Sequence, residues 1–246
     1  MRPLLTALIA GACLVPWAAQ ADDIVLYGNS SQPPKAWLDN GTPRGFVVEA
    51  AVLALTRAGY TVEVRLVPFE RAMETVKTEG VMTGIFMSAE RAKIYDYSTP
   101  LVPDEVAMAV HKGSSFVYAK PEDLVGKRVG LQGGMYYGPE LDTVKDRVTL
   151  DLDTNPSLRV KKLTADRIDV LVMNPGHASI IAAVAAAGVA ADEVVVLPMP
   201  LSLLQNHLIV GKGRADGAGI LERVNKAIVA LRSEGAFTPI MQRYNQ

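Results

Sequence analysis

The chain has 246 residues, with 25 Lys and Arg against 26 Asp and Glu and a formal net charge of −1. So even a balance argues against nucleic acid or an anionic membrane surface as partner. The composition is 49% hydrophobic and suits one large domain or two of about 100 residues, and the single cysteine, Cys13, leaves no intramolecular disulfide to form.

Met1-Arg2 opens the chain, an apolar run follows over 4–15, and Ala19-Gln20-Ala21 precedes Asp22-Asp23. A positive start, a short apolar stretch and small residues at the third and first positions before a cut predict a cleavable signal peptide over 1–21, cleavage after Ala21, and a periplasmic destination. Ala10-Gly11-Ala12-Cys13 leaves open a lipoprotein site with a weak first position. No later segment reaches the ~20 apolar residues that a membrane helix needs.

Beyond the leader, short apolar runs alternate with helical patterns: 24–27, a helix over 46–57, a strand over 62–66, a helix over 70–78. Further strands are read at 84–87, 106–111, 127–131, 168–173, 194–197 and 207–210, with a short buried helix at 178–187 stopped by Gly188. Near the C-terminus Ile220, Leu221, Val224, Ala227, Ile228 and Leu231 recur at helical spacing, and Gly235 follows as a stop. This alternation predicts open, largely parallel sheets covered by helices, with ligands at the carboxyl ends of the strands. No internal repeat or low-complexity linker separates two beads. The expected arrangement is discontinuous: lobe 1 from 22–109 and 206–246, lobe 2 from 110–205.

Enzyme signatures are missing. There is no G-x-S-x-G, no H-E-x-x-H and no complete phosphate loop around Gly211-Lys212-Gly213. His111, His177 and His207 lie far apart without a neighbouring ligand at metal spacing. Gly28-Asn29-Ser30 is a faint hydrolase block, but Leu204 stands where that class needs Asp ahead of His207. Catalytic residues, metal and cofactor are therefore all expected to be none.

What remains is a set of binding elements. Ser88-Ala89-Glu90-Arg91 follows an apolar strand, so Arg91 lies just beyond a strand end, where a guanidinium can hold a carboxylate through two parallel hydrogen bonds. The alternative is a surface arginine paired with Glu90 or Asp96. The strand into Gly133-Gly134-Met135-Tyr136, with a helix starting near Gly138-Pro139, offers backbone N–H groups to an anion, or is an ordinary strand-to-helix turn. Pro68-Phe69-Glu70-Arg71 opens a helix in which Phe69 either stacks on a ligand or joins the core, while Arg71 is solvated or turned into the cleft.

In this order, these elements resemble the extracellular solute-binding proteins, family 3, which serve polar amino-acid ABC importers. The likeness runs through Gly45-Phe46-Val47-Val48-Glu49, Ser88-Ala89-Glu90-Arg91, Asp96-Tyr97-Ser98-Thr99-Pro100, the stretch 124–132 and the tail 224–244; Pro68-Phe69-Glu70-Arg71 is similar to the Pro-Trp-x-Arg of one subgroup. The resemblance implies a type II periplasmic binding protein, or Venus flytrap, of two α/β lobes joined by two hinge strands. It also implies a small anionic or zwitterionic ligand, an inner-membrane ABC permease as partner, and a monomer. By the same resemblance Arg91 grips a ligand carboxylate together with Gly134, Met135 and Tyr136. Thr83, Gly84 and Phe86 match positions that meet an α-amino group, and Gln32 matches an aromatic that packs on the ligand side chain. Asn174 stands where amino-acid binders carry an aspartate for the ammonium, so the anion half of the site is retained and the ammonium half is eroded. A few proteins of this architecture are periplasmic cyclohexadienyl dehydratases, for which Glu49 and Glu70 are the available acids, and others act as sensors.

Overall fold

The computed structural model describes residues 22–244; the leader and Cys13 lie outside them. Strand β1 (Asp22–Asn29) runs parallel to β5 (Tyr60–Val67), with Leu26 opposite Val64 and Gly28 opposite Leu66. A Cβ on Gly28 would come within 2.8 Å of the Leu66 side chain. Between them lie the small sheet β2 (Ser31–Gln32), β3 (Ala36–Asp39) and β4 (Thr42–Arg44), and helix α1 (Phe46–Arg57). Phe46, Val47, Ala50, Ala51, Ala54 and Leu55 form the buried stripe of α1 at the spacing of a one-faced helix. Its unsatisfied first N–H groups are taken by the chain before it: Phe46 N donates to the Pro34 carbonyl at 3.2 Å and Val47 N to the Lys35 carbonyl at 3.3 Å. That close approach is possible because residue 45 is glycine; a side chain there would overlap the Lys35 carbonyl.

Helix α2 (Phe69–Thr75), strand β6 (Val81–Phe86) and strand β7 (Tyr95–Tyr97) follow. Strand β8 (Pro103–His111) then leads to β9 (Arg128–Gln132), α3 (Pro139–Asp142), β10 (Thr149–Asp153), α4 (Pro156–Thr164), β11 (Val170–Met173), α5 (Gly176–Ala187) and β12 (Val194–Val196). Strand β13 (Ser202–Gly211) returns, and α6 (Gly217–Ser233) and α7 (Thr238–Arg243) close the described chain.

The main sheet runs β10-β9-β11-β8-β13-β6-β1-β5, with β12 also on β8 and β7 also on β13. The junction between its halves is the antiparallel pairing of Ser202, Leu203, Leu204 and Gln205 with Val106, Glu105, Asp104 and Pro103. Beyond it β8 pairs with β11 on one side, and β13 pairs with β6 on the other. Two groups of core residues flank the junction. One packs Leu26, Phe46, Leu55, Leu208 and Ile228; the other packs Met108, Leu124, Val129 and Val172, and Phe86 at the end of β6 joins it. Truncating a fully buried leucine such as Leu26 or Leu124 removes about 2–5 kcal/mol of stability.

Helix α6 buries Ile220, Leu221, Val224, Ala227, Ile228 and Leu231, the set its spacing predicts. Gly188 ends α5 in the left-handed conformation, φ 67°. The outgoing and returning strands both start earlier than expected, at Pro103 and Ser202. Residues 202–206 read Ser-Leu-Leu-Gln-Asn, without a strand alternation, and are drawn into the sheet by pairing with 103–106. Strand β10 was not anticipated because its pattern is inverted. Leu150 and Leu152 are exposed, while Asp153 is paired with the buried Arg159 at 2.7 Å and Asp151 with Lys162.

Candidate functional site

Arg91 lies in a short turn after β6. Its backbone N–H donates to Ser88 Oγ at 3.3 Å, its Nη1 donates to the Phe86 carbonyl at 3.3 Å, and the guanidinium sits 5.6 Å from the Phe69 ring centroid. The acids that flank it in sequence are committed elsewhere, Glu90 to Lys93 at 2.8 Å and Asp96 to Lys212 at 3.9 Å. Among the described residues Arg91 makes no ion pair. Burial pushes its pKa down from the ordinary value, and Tyr97 and Glu70 oppose that shift. A half-buried guanidinium with no carboxylate partner has the chemistry to hold an anion.

The turn after β9 faces it. Gly133 N donates to the Asp153 carbonyl at 3.1 Å, anchoring the turn, and Gly134 takes φ 76°. A Cβ on Gly134 would lie 3.9 Å from Glu70 Oε1 on α2, so this glycine brings the two halves of the molecule close together. Tyr136 is half-buried; burial pushes its phenol pKa up and Arg91 opposes it. Phe69, Glu70, Arg91 and Gly134 line a cavity of about 380 Å³, and Gln32, Met135, Asn174 and Ser179 line another of about 310 Å³. The turn 133–136 borders both, and each is large enough for a small solute.

The other end of the site holds a residue that the sequence did not single out. Lys35 is fixed by the carbonyl it gives to α1 and by its N–H, which donates to the Gln32 carbonyl at 2.8 Å. Its side chain crosses Gly84, where a Cβ would meet Lys35 Cε at 3.3 Å. Its Nζ lies 2.9 Å from Asp104 Oδ2, 3.3 Å from Asn174 Oδ1 and 3.8 Å from the centroid of the Phe86 ring. The Lys35 and Asp104 side chains are 2% and 0% exposed. Burial lowers the Lys35 pKa, with Asp104 opposing that shift and Arg91 reinforcing it.

Asn174, directly after β11, donates through Nδ2 to the Glu105 carbonyl at 3.3 Å, which aims its Oδ1 at Lys35. Gln32 Nε2 donates to the Asn174 carbonyl at 3.3 Å and to its Oδ1 at 3.2 Å. Gln32 thus ties the two halves together and lines the cavity of about 310 Å³. Thr83 is buried, and its hydroxyl donates to the Val47 carbonyl at 3.2 Å. Arg71 is exposed and lines neither cavity, because it falls off the helix face shared by Phe69, Glu70 and Met73. Glu49 accepts from Arg243 and Tyr244, tying α1 to the C-terminal helix, and Glu70 is exposed at the cleft mouth.

Lys35 could not be found from spacing: a lysine after Pro33-Pro34 looks like a loop charge. Asp104 falls two residues before the strand expected at 106.

A family model described as bacterial extracellular solute-binding proteins, family 3, matches residues 24–246. The L-cystine-binding protein TcyJ of Escherichia coli strain K12 is 25% identical over 211 residues, which cover 84% of this chain and 76% of that protein. An ancestral arginine-binding protein bound to arginine superposes with a TM-score of 0.71 at 25% identity, covering 92% of this chain and 99% of that one. A histidine kinase sensor domain with similarity to periplasmic binding proteins does so at 0.72 and 24% identity, covering 92% and 96%, a likeness of fold. The architecture is that of the type II periplasmic binding proteins, and the chain belongs to the bacterial extracellular solute-binding proteins, family 3.

Proposed function

We propose that this protein captures a small carboxylate-bearing solute between two lobes in the periplasm and delivers it to an ABC importer of the inner membrane. The observation that carries this reading is Arg91, a half-buried guanidinium without a carboxylate partner, opposite the Gly134 turn. A ligand carboxylate there would gain two parallel hydrogen bonds from the guanidinium and N–H donors from the turn. The lobes in this reading are 22–109 with 206–246, and 110–205, hinged where 103–106 pair with 202–205. Closure follows from contacts that the ligand makes with Arg91 on one lobe and the turn on the other only when both are near.

One cleft per chain suffices for this task, so the protein acts as a monomer. It acts without catalysis. Of the acids that a dehydratase on this fold would use, Glu49 is committed to Arg243 and Tyr244, and Glu70 stands exposed. The test is isothermal calorimetry against a panel of small carboxylic and amino acids, with Arg91→Ala as partner variant. Binding by the parent that the variant loses supports the reading; binding that the variant retains removes Arg91 from the site.

A further inference from the structure

We infer that Lys35 is a built-in substitute for a ligand's ammonium, so that the site selects small carboxylates that carry no α-amino group. This rests on the carboxylate reading of Arg91 and specifies the ligand class.

The surroundings of the Lys35 Nζ are those with which a protein holds a foreign ammonium. They comprise a carboxylate at 2.9 Å, an amide oxygen at 3.3 Å and the face of an aromatic ring at 3.8 Å. Asn174, directly after β11, lines the cavity of about 310 Å³, and Lys35 links it to two buried groups, Asp104 on the hinge strand and Phe86 at the end of β6. The set is occupied by the protein's own chain, whose stem also fills the space over Gly84. The Lys35–Asp104 pair is neutral as a whole: Asp104 Oδ2 faces the Lys35 Nζ, and its buried Oδ1 has no hydrogen-bond partner among the described residues.

An α-amino acid whose carboxylate met Arg91 would bring its ammonium toward a Lys35–Asp104 pair that carries no net negative charge to receive it. The one buried carboxylate there is paired with Lys35, and of the acids lining the Arg91 cavity Glu74 and Glu90 are paired with Lys77 and Lys93 while Glu70 is exposed. A desolvated ammonium without a counter-charge is strongly disfavoured. Asn174 fits this arrangement better than an aspartate would: a second carboxylate would overcompensate Lys35, whereas the amide accepts from Lys35 and donates to the Glu105 carbonyl.

The experiment is calorimetry with matched pairs that differ only at the α-position: lactate and alanine, malate and aspartate, hydroxyglutarate and glutamate, phenyllactate and phenylalanine. It is run on the parent, Arg91→Ala, Lys35→Met and the charge-neutral double Lys35→Gln with Asp104→Asn. The parent is expected to bind a hydroxy acid about tenfold or more tightly than its amino partner. Lys35→Met frees Asp104, Asn174 and Phe86 for a ligand ammonium and is expected to reverse that order. The double variant, which leaves no buried lone charge to unfold it, is expected to lose the preference without reversing it.

A parent that prefers the amino acids, and loses them in Arg91→Ala, overturns the role of Lys35 and leaves the carboxylate reading standing. A hydroxy-acid preference unchanged in both Lys35 variants also overturns it. A parent that binds no member of any pair, or binding indifferent to Arg91→Ala, overturns both readings.

Discussion

The two ends of the cleft handle charge in opposite ways. At one end Arg91 has no ion partner among the described residues, because Glu90 and Asp96 are engaged with Lys93 and Lys212. At the other end Lys35 is buried and satisfied by Asp104, Asn174 and Phe86. An unpaired half-exposed cation contributes little to stability and is available for a ligand. In a fully buried pair the desolvation cost offsets much of the attraction, but removing one partner strands the other's charge, so each is held to the other. In the reading proposed above the same type of charge serves binding at one end and selectivity at the other, and burial distinguishes the two.

Breaking the buried end should have the largest effect. Lys35→Met strands the Asp104 carboxylate at 0% exposure and should cost about 3–5 kcal/mol in urea unfolding, most of it recovered when Asp104→Asn is added. Arg91→Ala should leave the unfolding free energy within about 0.5 kcal/mol while weakening ligand binding by about 3 kcal/mol, or two orders of magnitude. If Arg91→Ala destabilises as much as Lys35→Met, the contrast between the two ends collapses.

Gly134→Ala probes the turn between them. At φ 76° an alanine is strained by about 1 kcal/mol, which should appear as a several-fold loss of affinity with little change in the fold of either half. The smallest effect tests a charge cluster outside both cavities, where His111 meets Asp166 at 2.9 Å and Glu193 at 3.4 Å. Hydrogen bonding to Asp166, with support from Glu193, raises its pKa. The pairing therefore stabilises fully below the ordinary value of about 6.5 and is lost as pH rises through the higher folded value. His111→Gln should flatten the stability profile over that window and leave ligand affinity unchanged.

Much of the architecture was legible because it depends on local pattern. The α6 stripe, the Gly188 stop and the strand leading into Gly133-Gly134 follow from apolar spacing and backbone rules that act over a few residues. The early starts of β8 and β13 were not, since 202–206 become a strand only against 103–106. Inverted β10 was missed because its acids turn toward Arg159 and Lys162 on α4, against the usual apolar-in pattern.

At the site the same division holds. The sequence by itself determined that an arginine follows a strand end, that a glycine turn follows another, and that an amide stands where an acid would hold an ammonium. Only the tertiary structure decided that Arg91 makes no ion pair among the described residues, that Arg71 faces solvent, that Gln32 bridges to Asn174, and that Lys35 is buried against Asn174. The reason is physical. Whether a charge is free or satisfied depends on which groups lie within about 4 Å of it, and Lys35, Phe86, Asp104 and Asn174 come together from four separate segments of the chain that no spacing rule connects.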